Sequence, residues 1–392
     1  MHVRSSLRIL AAAVALATGC AAGTSAAGLP HVPAGFTIQK IATVDQAREL
    51  TFASNGDLFV GTYGKDVYVV PHADASGAAG TPKVFAHFDN EPAAGVALDG
   101  NTLYVGTQFG VYRVDYRTGD RSARSAPIKI ASVRTSGTSR DHETTSVAVS
   151  RGTLYASVGS SCNACVPELD DTRATIQQVA PSGKLQPKAI RIRNAIALAV
   201  NANTGMLWAG VAGEDDLPVG HPYELFDAVG AHAGVADYGW PYCYENRKQN
   251  PVAAWSGHNC SKTAVERVVF PAYETPVGAT FYPLKASGKY AFAAKYRGGA
   301  FVTLHGSWHG PSQGLRGYVP PRVVFVAMRG DEPVRPVDWG NPAAQWSEFV
   351  GGYQQGGTVT RIGRPTGIAV GPQGDLFVAD DQTGAIYRIR PR

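Results

Sequence analysis

Thr366-Gly367-Ile368-Ala369-Val370 leads through a short turn into Gly374-Asp375-Leu376-Phe377-Val378-Ala379, and Gly384-Ala385-Ile386-Tyr387-Arg388-Ile389 follows. The residues alternate along each run as in a strand with one buried face. The Gly and Asp residues at the breaks are those of tight turns. The same strand–turn–strand unit recurs upstream: 47–52 into 55–61, 94–98 into 101–106, 145–149 into 152–157, 195–200 into 205–209, and 277–281 into 299–303. A third strand is visible at 66–70 as well. The first four units start at 47, 94, 145 and 195, and insertions stretch the last two.

Six near-regular units of this kind predict an all-β fold, a six-bladed β-propeller, which closes without free sheet edges. The strand at 36–42 has no partner in its own unit, so it is expected to complete the last blade and fasten the ring. Two stacked β-sandwiches would account for the strands but not for their recurrence. Residues 28–392 then form a single propeller domain. The stretch 214–276, rich in Gly, Pro and aromatic residues, is expected to be a long insertion pinned as a cover.

Composition agrees. The chain has 392 residues, 17% charged and 44% hydrophobic, with 45 glycines. That excludes a disordered chain, a coiled coil and a disulfide-dense miniprotein. A formal charge of +5 with no Lys/Arg block argues against a nucleic-acid binder.

Residues 1–27 read as a signal peptide: Arg4 and Arg8, an apolar run at 9–17, then small residues ending at Ser25-Ala26-Ala27. Ala17-Thr18-Gly19-Cys20 resembles a lipobox, in which Cys20 would carry a lipid, although Leu16 stands one place too early. The chain is therefore expected to be exported, either free in the periplasm or lipid-anchored to the envelope. No other segment is apolar enough to span a membrane. Four cysteines remain, Cys162, Cys165, Cys243 and Cys260. An even set in an exported chain suggests two disulfides, most simply 162–165 and 243–260, among three connectivities. A metal or redox pair is the rival reading of Cys162-Asn163-Ala164-Cys165. Val166 excludes a covalent c-type haem there.

Loops converge at one end of a propeller channel. His142 precedes the third unit, Arg193-Asn194 the fourth and Arg364 the sixth, each at an equivalent place. One base and two arginines around one axis favour an anionic ligand with several carboxylates.

From about Gly35 to Arg390 the chain resembles the glucose/sorbosone dehydrogenases, which include soluble aldose and L-sorbosone dehydrogenases dependent on pyrroloquinoline quinone (PQQ). The residues that carry the likeness are Thr153-Leu154-Tyr155-Ala156-Ser157-Val158-Gly159-Ser160-Ser161-Cys162-Asn163, Arg173-Ala174-Thr175-Ile176 and Arg191-Ile192-Arg193-Asn194-Ala195. Asp237-Tyr238-Gly239-Trp240-Pro241-Tyr242-Cys243, Leu304-His305-Gly306-Ser307-Trp308, Gly363-Arg364-Pro365-Thr366-Gly367 and Asp380-Asp381-Gln382-Thr383-Gly384 extend it.

The resemblance implies that His142 takes a proton from a sugar hydroxyl as hydride passes to PQQ. It implies that Arg193, Asn194 and Arg364 contact the cofactor and that His305 lies beside it. Calcium would be held partly by backbone carbonyls of Gly213-Glu214, next to Asp215 and Asp216. Trp308 is expected to pack between blades, and 238–241 to form a loop over the channel. The chain departs from the pattern at three points, one being a calcium turn shorter than in many sorbosone-type relatives. Thr145 stands where many relatives carry an arginine, and Ser160 stands where soluble glucose dehydrogenases carry the aspartate that orients the histidine. Asp141 or Glu143 could substitute for that aspartate.

The leading expectation is an exported PQQ-dependent sugar oxidoreductase with a separate electron acceptor, since no haem motif is present. A calcium-dependent lactonase-type hydrolase and a non-catalytic glycan- or protein-binding propeller are the alternatives.

Overall fold

The computed structural model describes residues 28–136, 139–251, 257–308, 318–355 and 359–392. The signal segment at 1–27, with Cys20, lies outside them. Six four-stranded blades follow one another in chain order. Blade I is Ala47–Phe52, Leu58–Thr62, Asp66–Val70 and Lys83–His87; blade II is Gly95–Asp99, Thr102–Thr107, Gly110–Asp115 and Ile128–Ser132. Blade III is Thr145–Ser150, Thr153–Val158, Thr175–Val179 and Leu185–Ile190; blade IV is Ala197–Val200, Leu207–Val211, Glu224–Asp227 and Val268–Phe270. Blade V is Pro276–Phe281, Ala300–Leu304, Arg322–Val326 and Trp346–Val350. Blade VI is Pro365–Val370, Leu376–Asp380 and Ala385–Pro391, and its fourth strand is Phe36–Thr43.

That fourth strand runs antiparallel to the last one, from Phe36 opposite Pro391 to Thr43 opposite Ala385. The closing strand expected from the sequence is therefore present. Its first residue also reaches into the neighbouring blade, where Phe36 meets Phe292, Phe349 and Tyr296 with ring centroids 4.7, 5.1 and 5.6 Å away. Closure is thus a hydrogen-bonded ladder with an aromatic anchor at one end.

Around the axis the inner strands come close. A Cβ on Gly367 would lie 2.1 Å from the Arg48 carbonyl, so only glycine fits there. Hydroxyls cap the carbonyls of the inner strands: Thr366 Oγ1 donates to Ala47 O (2.9 Å), and Ser146 Oγ to Ile196 O (2.7 Å). Beside Glu49, which faces into the channel, the wall is formed by apolar side chains that include Val96, Val147 and Ile368. The channel leaves part of Glu49 open to its void, yet protein surrounds the carboxyl. Burial pushes its pKa up to about 8, only partly offset by its hydrogen bond with Ser146 and the charge of Arg48.

Both disulfides join the pairs preferred from the sequence, Cys162–Cys165 and Cys243–Cys260. The stretch 214–276 needs correction. Its flanks are blade IV strands, Glu224–Asp227 and Val268–Phe270, so the excursion proper lies between them. Residues 238–241 are also not a loop over the channel. Ala236–Asp237 adds in parallel to Leu185–Ile190 at the outer edge of blade III, and Tyr238 is buried beside it, its hydroxyl donating to Asp227 Oδ2 (2.6 Å). An outer strand exposes unpaired backbone groups, and the excursion covers that edge.

Two outcomes are expected. Phe36→Ala should cost about 3 kcal/mol in urea unfolding, as for other buried aromatic truncations. Glu49→Gln should act through pH. The folded-state pKa of Glu49 is raised, so the wild type loses stability as pH climbs from about 4.5 to 8. The Gln variant should be spared that loss and gain at least about 1 kcal/mol on the wild type between those pH values.

Candidate functional site

The loops that precede the inner strands of blades III, IV and V meet at one mouth of the channel. Together with the segments that leave the second strands of blades IV and V, they line a cavity of about 170 Å3 with His142, Arg193, Asn194, Gly213, Glu214, Glu224 and Trp308. Ile196 lines both this cavity and the channel below it.

His142 has a left-handed backbone, φ 52°, which an L-residue rarely adopts without support. Two buried guanidinium groups supply the support. Arg173 donates to Gly159 O (2.9 Å), Ser160 O (2.6 Å), Ser139 O (3.1 Å) and Asp141 O. Arg134 donates to His142 O, Thr144 O (2.9 Å), Gln108 O and Thr145 Oγ1 (2.8 Å). At Thr145, then, a guanidinium from an earlier loop meets the hydroxyl.

The imidazole is oriented by Ser160 rather than by a carboxylate. His142 Nδ1 lies 2.9 Å from Ser160 O and 3.0 Å from Ser160 Oγ, while that hydroxyl donates to Cys162 O (2.7 Å). A carbonyl can only accept, so the proton sits on Nδ1 and Nε2 keeps its lone pair. Asp141 and Glu143 do not take this part. The Asp141 carbonyl is held by Arg173, and the Glu143 carboxylate pairs with Arg140 (2.7 Å). Gly159 allows the approach, because a Cβ there would stand 2.5 Å from both His142 Cβ and Asn194 Oδ1.

Arg193 is buried, its Nε and Nη2 bonded to Asn163 (3.0 and 2.9 Å) and Nη1 to Ala212 O (3.1 Å). Glu214 and Glu224 are also buried, and burial pushes each pKa up to about 7. Glu224 Oε2 accepts from Gly213 N at 2.6 Å, and Glu214 Oε1 from Asn250 Nδ2 at 2.9 Å. His305 and Arg364 stand behind the wall. His305 Nε2 lies 3.0 Å from Asp381, which pairs with Arg48 (2.8 Å), and Arg364 donates to the carbonyls of His305 and Gly306. These backbone groups lead into Ser307 and Trp308, which line the cavity. Trp308 is 66% exposed at its edge and is not packed between blades.

Sequence reasoning singled out His142, Arg193 and Asn194 but missed Arg134, Asn163 and Glu224. Glu224 carried only a weak signal, as a carboxylate opening the short strand Glu224–Asp227. Arg134 carried none, because a loop arginine reads as surface.

The match to a family covers residues 30–392. The chain belongs to the TrAA12-like family. This bears out the resemblance read from the motifs. No curated protein matches the chain in sequence. Among solved structures, this TrAA12-like chain is similar to a Trichoderma reesei carbohydrate-active enzyme of family AA12, with 20% identity and a TM-score of 0.74 over 93% of this chain and 98% of that one. It is also similar to the PQQ domain of pyranose dehydrogenase from Coprinopsis cinerea in its holo form (18%, TM-score 0.75, 92% and 97% covered). A third is the PQQ-bound aldose sugar dehydrogenase of Streptomyces coelicolor (16%, TM-score 0.58, 92% and 99% covered). At these identities the likeness establishes the shared propeller.

The electrostatics give a stability test. Burial, with the Arg193 charge beside it, lowers the His142 pKa to about 3, and burial lowers that of His305 to about 4. Both titrate near 6.5 when unfolded. Depressed folded values mean that stability is full above about pH 6.5 and is lost as pH falls toward them. Between pH 6.5 and 4, His142→Asn should lose on the order of 2 kcal/mol less than the wild type in urea titrations.

Proposed function

We propose that this protein is an exported sugar oxidoreductase that oxidises an aldose or sorbosone-like sugar to a lactone or acid, with PQQ as hydride acceptor and calcium as electrophile. The observation that carries the reading is the tautomer of His142. Its Nδ1–H is committed to Ser160, and Nε2 is left as an acceptor on a cavity wall that also bears Arg193 and Asn194.

The donor set fits a flat, polycarboxylate quinone. Arg193 and Asn194 offer cationic and amide donors, and the Gly159 approach keeps His142 and Asn194 side by side. Glu214 and Glu224, two buried carboxylates with raised proton affinity in one wall, fit a hard divalent cation. Gly213 and Glu214 would hold that cation through backbone carbonyls, and Arg193 and Asn194 would hold the quinone. His305 and Arg364 would support it from behind the Ser307–Trp308 wall.

When bound, PQQ supplies a two-electron acceptor and calcium a Lewis acid. The chain supplies the rest. His142 Nε2 would take the proton of the sugar hydroxyl, and the hydride on the carbon bearing that hydroxyl would go to the bound quinone, leaving a carbonyl. Arg134 and Arg173 hold the backbone that carries His142, Ser160 fixes its ring, and Trp308 offers an aromatic edge at the mouth. A separate acceptor would be needed to take the electrons from the reduced cofactor. The two disulfides suit an oxidising compartment and support export, with either a cleaved signal at 1–27 or a lipid on Cys20.

The test is an absorbance titration of calcium-loaded protein with PQQ, followed by turnover of aldoses with an artificial acceptor. Arg193→Ala should weaken binding at least about tenfold. His142→Asn should bind normally and lose about 10²–10⁴ in kcat. No saturable binding by the wild type would overturn the proposal.

A further inference from the structure

Asn163 lies in the short loop closed by the Cys162–Cys165 disulfide, and each of its polar side-chain atoms is engaged. Its backbone carbonyl accepts Arg193 Nε–H at 3.0 Å and Trp240 Nε1–H at 3.1 Å. Its amide oxygen accepts from Arg193 Nη2 (2.9 Å) and from the Asp215 backbone N–H (2.8 Å). Its amide nitrogen donates to Asp215 O (3.1 Å) and Asp216 Oδ2 (3.2 Å). Turning the amide over would set N–H against a guanidinium and against a backbone N–H, so the orientation is fixed by its partners.

One residue thus fills the side-on fork of Arg193, through Nε and Nη2, with its own backbone and side-chain oxygens. With Ala212 O on Nη1 and the Asp215 carboxylate 3.7 Å from Nη2, the guanidinium keeps one Nη1 N–H beyond these partners. The same amide secures the acidic turn at 213–216, where Asp216 has a φ of 71° and needs outside support. Trp240, which grips the Asn163 carbonyl, stands three residues before Cys243, the partner of Cys260. Asn163 is therefore bracketed by both disulfides.

We propose that Asn163 is the positioning residue of the cavity: held by the two disulfides, it presents Arg193 and the 213–216 turn to the ligand as one preorganised unit. Preorganisation matters because a long arginine left to find its own geometry loses binding energy to rotamer ordering. The consequence for PQQ rests on the dehydrogenase reading, whereas the hold on Arg193 and the turn does not.

Two arms separate these. Hydrogen exchange is followed by mass spectrometry in the full protein, in Asn163→Ala, and in the Cys162→Ser/Cys165→Ser double variant. Peptides spanning 209–217 should exchange about tenfold faster in both variants, while those of blade I stay unchanged. The second arm is a double-mutant cycle on PQQ affinity with Asn163→Ala and Arg193→Ala. If Asn163 acts through Arg193, the double variant should bind within about threefold of Arg193→Ala alone. Unchanged exchange at 209–217, acceleration that spreads to blade I, or additive effects in the cycle would each overturn the proposal. Failure of the wild type to bind PQQ would overturn the dehydrogenase reading instead, and the exchange arm alone would then decide the role of Asn163.

Discussion

Pairing between Phe36–Thr43 and Ala385–Pro391 turns a row of six sheets into a ring. In an open row the loops ahead of blades III, IV and V would fan apart, and no cavity would form between them. In a ring they must face one another, since each inner strand starts at the same height around one axis. The close approach at Gly367 and the hydroxyl caps on Ala47 and Ile196 keep that axis narrow, so the ring fixes distances as well as order.

Within this frame the site is organised by guanidinium groups that bond mainly to backbone carbonyls. Arg134 and Arg173 hold the His142 loop, and Arg193 is held by Asn163 and Ala212. Carbonyls orient a cation without cancelling its charge. Burial, with the charges of Arg193, Arg173 and Arg134 beside it, keeps the His142 imidazole neutral, while Asp215, 3.7 Å from Arg193 Nη2, offsets part of the Arg193 charge. Glu214 and Glu224 stand on the other side of Arg193, where burial holds their protons more tightly than usual.

The blades were legible in the sequence because strand alternation and Gly-rich turns are local, and six copies of a local signal reinforce one another. The approximate address of the site was legible for the same reason: His142, Arg193 and Asn194 each occupy the same place in a repeat. Partnerships that cross repeats were not. Nothing near His142 in sequence points to Arg134 or Arg173, and nothing near Arg193 points to Asn163, which lies 30 residues away from it. Trp308 was misplaced because a tryptophan in a propeller is usually core, and only the geometry at the mouth shows otherwise. The excursion after Asp227 was misplaced because the vacancy it fills, the edge of blade III, exists only once the blade has formed.

The serine that orients His142 has a chemical consequence of its own. An imidazole backed by a carboxylate is a stronger base than one backed by a carbonyl and a hydroxyl. With little proton affinity of its own, His142 gives the acidity of the hydroxyl opposite it greater weight in any proton transfer. Reactivity across a series of sugars would then follow the acidity of the carbinol being oxidised more steeply than its fit to the cavity. The selectivity of such a site would be written as much in the electronics of its substrates as in the shape of its walls.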